Sequence, residues 1–163
     1  MLQFLASFRT AAILLVLLAA VGCSKKNRPS LEAGAGAAVP GSVAEFQTVV
    51  GDRIYFLVDQ TSLTPEAQAT LTKQAEWLKQ YSNVTIQVEG HADERGTREY
   101  NIALSARRAT VTREYLAAQG VEPNRITTIS FGKERPVALC DAESCWSQNR
   151  RAVTVVTGGA VSQ

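Results

Sequence analysis

Residues 90 to 109 read GHADERGTREYNIALSARRA, with one His, three acids and four arginines in a single stretch. Side chains of these types can hold a metal, move protons, clamp a charged ligand or simply face water. His91 is the only His of the chain, whereas catalytic zinc sites usually draw three protein ligands, often two or more of them His. Asp93 and Glu94 are adjacent in sequence and diverge in direction, which is unlike the facing carboxylates of glycoside cleavage. The chain carries no Ser-centred elbow, no phosphate-binding loop and no reactive Cys context. The expectation is a protein that is not an enzyme, with no metal and no cofactor. A lone His at a strand end is expected to be scaffold, bonded to a neighbouring backbone group.

A clamp is harder to dismiss. Downstream of Thr97 the small and apolar residues Leu104, Ser105, Val111, Thr112, Tyr115 and Leu116 form one broad stripe at helical spacing. Asn101 and Arg108 fall inside that stripe, seven residues apart and so nearly in line. Arg107, Arg113 and Glu114 fall outside it, as ordinary solvated charges. A guanidinium turned inward without a partner costs several kcal/mol, and Asp93, in the turn before the helix, is the partner on offer. Two readings stay open on spacing alone. One is a structural Arg–Asp pair, or an Arg whose stem packs while its head reaches water. The other is a ligand site in which Asp93 meets an ammonium and Arg108 a carboxylate.

The elements that must position these residues alternate. RIYFLV (53–58) is rich in β formers and reads as a strand. Thr64, Pro65 and Glu66 mark a helix start, with Ala67, Leu71, Ala75 and Leu78 as its buried stripe. NVTIQVEG (83–90) alternates Val84, Ile86 and Val88 and reads as a strand with one face inward. The long helix runs from about Thr97 to Gln119 and is stopped by Gly120. RITTISF (125–131) and RAVTVV (151–156) are the last two strands. This order predicts an α/β (α+β, sandwich-like) fold, a βαβαβ core plus a last strand, with helices packed on a mixed sheet. The long interval before the last strand leaves it free to run antiparallel.

The 163 residues suit one domain and a tail, and 45% hydrophobic with 20% charged residues is ordinary for a folded domain. A net charge of +2 without a basic, aromatic-interleaved stripe argues against nucleic acid. The first 22 residues differ: Arg9, then the uncharged run AAILLVLLAAVG, too short to span a bilayer but ordered like an export signal. The segment ends LLAAVGC, which resembles a bacterial lipobox. That resemblance implies cleavage before Cys23 and acylation of Cys23, and Ser24 behind it resembles an outer-membrane address. Residues 23–45, rich in Gly, Ala, Ser and Pro, read as a flexible linker. Residues 46–157 are then the folded domain and 158–163 a tail. Cys140 and Cys145 remain; in an oxidising compartment thiols pair, no metal-ligand spacing surrounds them, and a disulfide closing so short a loop stabilises by roughly 2 kcal/mol in the chain-entropy model.

The segments IYF, GHADERGTREYNIALSARRA, ISFGKERP and NRRAV resemble the OmpA-like peptidoglycan-binding domain family over about residues 50 to 157. The long motif is specific; the short ones are weak alone. The resemblance implies a ligand, the meso-diaminopimelate of a peptidoglycan stem peptide. It places Asp93 on the ligand's amine and Arg108 on its carboxylate, with Asn101, Asp59 and Arg150 lining the pocket and Phe56 at its edge. With the lipobox it implies an outer-membrane lipoprotein that tethers the membrane to the wall. It also implies protein partners in the Tol system, chiefly a periplasmic β-propeller protein, and a part in cell division. The alternative is a lipoprotein that works mainly as a protein-interaction module, its Asp–Arg pair structural. In one place the chain departs from the family: Leu57 stands where an acid is frequent after YF, which leaves that side chain without a family role.

Overall fold

A computed structural model describes residues 38–162. The expectations for the export signal, for Cys23 and for most of the linker fall on residues outside that range. Element order is α1 (Val43–Glu45), a wide π turn (Phe46–Gly51), β1 (Arg53–Tyr55), α2 (Pro65–Gln80), β2 (Thr85–Gly90), α3 (Arg98–Ala118), β3 (Ile126–Ser130), α4 (Glu143–Asn149) and β4 (Arg151–Gly158), with a single 3₁₀ turn at Pro123–Arg125.

The four strands form one sheet in the order β1-β4-β2-β3. β2 and β3 are parallel and joined through α3, the crossover expected of a βαβ unit. β4 is antiparallel to both β1 and β2, with Ile54 opposite Ala152 and Val88 opposite Thr154. The mixed sheet and the antiparallel last strand match the sequence reading. β1 is shorter than expected, because the chain leaves the ladder at Phe56 to build a loop over the end of the sheet.

The helix signals act as their chemistry dictates. Thr64 caps α2 by accepting from the Ala67 amide, and Thr97 caps α3 by accepting from the Tyr100 amide. Ala67, Leu71, Ala75 and Leu78 of α2 are buried, packed with Ile54, Val84, Ile86, Val88 and Leu116 into one core. Gly90 is required by close packing: a Cβ there would overlap the Ser105 carbonyl of α3. The Ser105 hydroxyl in turn accepts from the Gly132 amide at 2.9 Å, tying the loop after β3 to the same place.

The expected linker runs to Glu45, but order begins earlier. Ser42 is fully buried and bridges in parallel to Val161, and the Glu45 carboxylate accepts from the Gly41 amide and from the Trp77 indole, both at 2.7 Å. Residues 158–161, expected as tail, are the other half of this clasp. Composition hid it, because Gly, Ser and Pro look alike in a linker and in a tight docking turn.

Candidate functional site

At the end of the sheet where β2 delivers its chain to α3, a cleft of about 290 Å³ opens. Asp59, Asp93, Asn101 and Arg108 line it, as does Arg150, so five of the six expected ligand residues meet in one place. They come from four segments: the loop after β1, the turn between β2 and α3, the first half of α3, and the residue before β4.

Arg108 is completely buried on α3. Its guanidinium donates from Nε to the Gln60 carbonyl at 3.0 Å, from Nη1 to the His91 carbonyl at 3.0 Å and from Nη2 to the Leu57 carbonyl at 3.2 Å. Nη1 and Nη2 each keep one further N–H. The expectation that Asp93 would be its direct partner is corrected: no carboxylate bonds Arg108 among the described residues. Burial lowers its pKa to about 10, only partly offset by the field of Asp93. A guanidinium caged by neutral carbonyls has its geometry fixed and its charge uncompensated.

Asp93 has other partners. It takes a fork from Arg95, Nη2 to Oδ2 at 2.6 Å and Nε to Oδ1 at 3.2 Å, together with the Arg95 amide. Arg150 donates to the same Oδ2 at 3.2 Å. Burial works to raise the Asp93 pKa, but the bonds from Arg95 and Arg150 prevail and hold it below the usual carboxylate value. Arg150 is 4% exposed, donates from Nε to the Phe56 carbonyl at 3.1 Å, and is also bonded by Glu143 of α4.

Asn101 faces the cleft, but its amide N–H₂ donates to the Arg95 carbonyl at 2.7 Å and the Thr97 carbonyl at 3.1 Å, so it holds the turn in place. Gly96, with φ of 87°, gives that turn the left-handed residue it needs. Asp59 has φ of 56°, the only positive value outside glycine among the described residues, and accepts from the Tyr100 hydroxyl. That bond raises the Tyr100 pKa. Phe56 departs from the expectation of a pocket-edge aromatic: it is buried beneath Arg108, its ring 5.0 Å from the guanidinium carbon, and lines a neighbouring groove.

His91 also differs in detail. Its ring stacks on Phe131 with centroids 5.5 Å apart, and neither ring nitrogen has a hydrogen-bond partner. Its backbone carbonyl is what serves the site, through Arg108. Arg107 is exposed, as expected, and so is Glu99. The described residues hold no group of three or more His, Cys, Asp or Glu placed to bind a metal. Cys140 and Cys145 are disulfide-bonded, Cα atoms 5.6 Å apart.

Four contributors were not read from the sequence: Arg95, Tyr100, Glu143 and Trp146. Arg95 had a usable signal, since a side chain two residues past a turn Asp can fold back onto it. Glu143 lies inside the Cys loop and Trp146 directly after it, and only the tertiary fold brings them against Arg150 and Arg95 of the cleft.

The OmpA family profile matches residues 55–151. A peptidoglycan-associated lipoprotein of Rhizobium meliloti (strain 1021) is 62% identical over 154 residues, covering 91% of this chain and 87% of the relative. The crystal structure of the peptidoglycan-associated lipoprotein from Burkholderia pseudomallei superposes with a TM-score of 0.64 at 42% identity, covering 65% of this chain and 90% of that one. The C-terminal domain of Helicobacter pylori MotB shares the fold with a TM-score of 0.62 at 22% identity, over 66% of this chain and 84% of that one. The profile, the relatives and the shared fold agree: this chain belongs to the OmpA family, alongside its peptidoglycan-associated lipoproteins.

Proposed function

We propose that the chain is an outer-membrane lipoprotein, anchored through acylated Cys23, whose domain grips peptidoglycan non-covalently at the free zwitterionic end of diaminopimelate. The observation that carries this reading is Arg108: a buried guanidinium at the lining of a cleft, with no carboxylate bonded to it and Asp93 lining the same cleft. Diaminopimelate offers one ammonium and one carboxylate on one carbon. The carboxylate takes the two free N–H groups of Arg108, whose fork suits it better than a Lys would. The ammonium goes to Asp93. Each charge-assisted bond contributes about 1.5–3 kcal/mol net, and the carbonyl cage has already fixed the Arg108 geometry before ligand arrives. Lysine-type stems lack that carboxylate and leave Arg108 uncompensated.

The geometry supports a tether. The clasp between Ser42 and Val161 lies past one end of β4, and Arg150 precedes the other. Eight strand residues set these about 25 Å apart. Ser24 to Pro40 adds at most about 60 Å when fully extended. Confined near a dense polymer, the domain needs only modest site affinity. Binding without turnover, contacts with the Tol proteins and a role in envelope integrity and constriction complete the reading.

The second reading, a protein-interaction module with a structural pair, is favoured by the double engagement of Asp93 by Arg95 and Arg150. One experiment separates them: co-sedimentation of residues 38–163 with purified sacculi, with and without free stem peptide containing diaminopimelate. Binding that the peptide competes away supports the clamp. Asp93→Ala and Arg108→Ala proteins that remain folded and still sediment at wild-type levels refute it.

A further inference from the structure

The geometry points to α4 as a positioning element of the cleft, in which Glu143 sets Arg150, Trp146 sets Arg95, and the Cys140–Cys145 disulfide holds both in register. This rests on the reading of the cleft as the diaminopimelate site.

α4 has seven residues, too few to be stable alone. Its cap residue, Ala142, offers no side-chain acceptor to the first turn. Two other devices hold it. The disulfide ties Cys140, three residues before the helix, to Cys145, its third residue, clamping the first turn. At the far end, the Asn149 side chain accepts from the Val137 amide at 2.8 Å and donates to the Ala138 carbonyl at 2.9 Å, closing the preceding loop onto the helix.

The braced helix reaches the cleft residues through two side chains. Glu143 takes both Nη1 and Nη2 of Arg150, while Nε is fixed to the Phe56 carbonyl. Arg150 is thereby divided between two carboxylates, and Asp93 receives only one of its bonds. Trp146 does the same for Arg95. The Arg95 guanidinium carbon lies 4.2 Å from the indole centroid, and the indole N–H donates to Glu94 at 2.9 Å, pinning the turn that carries Asp93 and Arg95. Each cation that engages Asp93 is therefore steered by a residue of α4. Neither α4 residue bonds Asp93 itself, so their role is to set how much of that carboxylate is left for an incoming ammonium.

The test uses the full chain in detergent, stem peptide binding by calorimetry, and the Asp93 carboxyl titration by carbon NMR in the ligand-free protein. Glu143→Gln leaves Arg150 to Asp93 alone; the Asp93 midpoint falls and stem peptide binds about tenfold more weakly, the scale of coupling within one contact network. Trp146→Leu frees Arg95; the midpoint rises and binding again weakens about tenfold. General loosening of the fold would move both midpoints upward, so opposite directions mark positioning. Trp146→Phe keeps the ring under Arg95 and restores most of the binding, which also covers the case of a Leu variant that fails to fold. The double Cys140→Ser, Cys145→Ser variant weakens binding while its circular dichroism retains the sheet and the long helices, the melting temperature falling only by the share that the disulfide contributes. Wild-type affinity in Glu143→Gln and Trp146→Leu overturns the positioning role. A wild-type chain that does not bind the stem peptide overturns the cleft reading instead; unmoved Asp93 midpoints would then overturn the positioning role as well.

Discussion

Arg108 and Asp93 line the same cleft without bonding to each other: three backbone carbonyls hold the cation, and two other arginines hold the anion. A direct pair would close the site on itself. Separate anchoring leaves a cation and an anion side by side, each with capacity for a ligand that carries both charges.

Arg108→Lys tests the carbonyl cage. Lysine retains the charge but cannot reach Gln60, His91 and Leu57 as one planar fork. At least one buried carbonyl loses its donor, which costs about 2 kcal/mol of stability by urea denaturation. Stem peptide binding falls by about a hundredfold, since both cage and carboxylate fork are lost. Unchanged affinity in this variant would mean that Arg108 serves only as a point charge.

Leu57 shows why one departure from the family pattern is harmless. Its side chain is 55% exposed, and its carbonyl is what Arg108 uses. Leu57→Ala keeps that carbonyl, so stem peptide affinity stays within about twofold and stability within about 0.5 kcal/mol, the usual range for surface changes. A larger loss would assign the side chain a contact of its own with the ligand.

Strand and helix periodicity revealed most of this fold because one face of each element is buried: the α2 stripe and the alternation in β2 are read directly as core. The inward turn of Asn101 and Arg108 was legible for the same reason. What periodicity cannot show is which acceptor a buried guanidinium finds. Arg125 makes the point from outside the site, since it too is held by carbonyls, those of Val84, Leu78 and Tyr81, with no spacing signal to announce it. α4 was illegible because its seven residues have no amphipathic period, and their value lies in side chains that cross to a distant turn.

Gly90→Ala isolates the packing on which the cleft depends. The new Cβ would collide with the Ser105 backbone carbonyl, which no rotamer change can relieve. α3 must shift, at a cost of about 3 kcal/mol by thermal or urea unfolding, the upper range for overpacking. Asn101 and Arg108 ride on the same helix, so affinity for sacculi falls as well. A variant of wild-type stability would show that α3 does not depend on contact with β2 at this position.

His91 sets the acid limit of the domain. Desolvation, aided by the nearby positive charges of Arg151 and Arg135, lowers its pKa from 6.5 to about 4 in the folded chain. The unfolded chain therefore binds the proton more readily. The stability this contributes is fully present above about pH 6.5 and is lost as pH falls from there toward 4, with a ceiling of about 3 kcal/mol. Asp93 acts mostly lower: its pKa is depressed in the folded chain, so its contribution is present above the ordinary Asp value and is lost as pH falls from there through the depressed one. Stability measured by urea unfolding between pH 7 and pH 4 should fall in the wild type. His91→Phe retains a ring against Phe131 and has no proton to take up, so its curve should be flatter over the same window. Parallel curves for the two proteins would place the acid sensitivity on another group and remove His91 from the account.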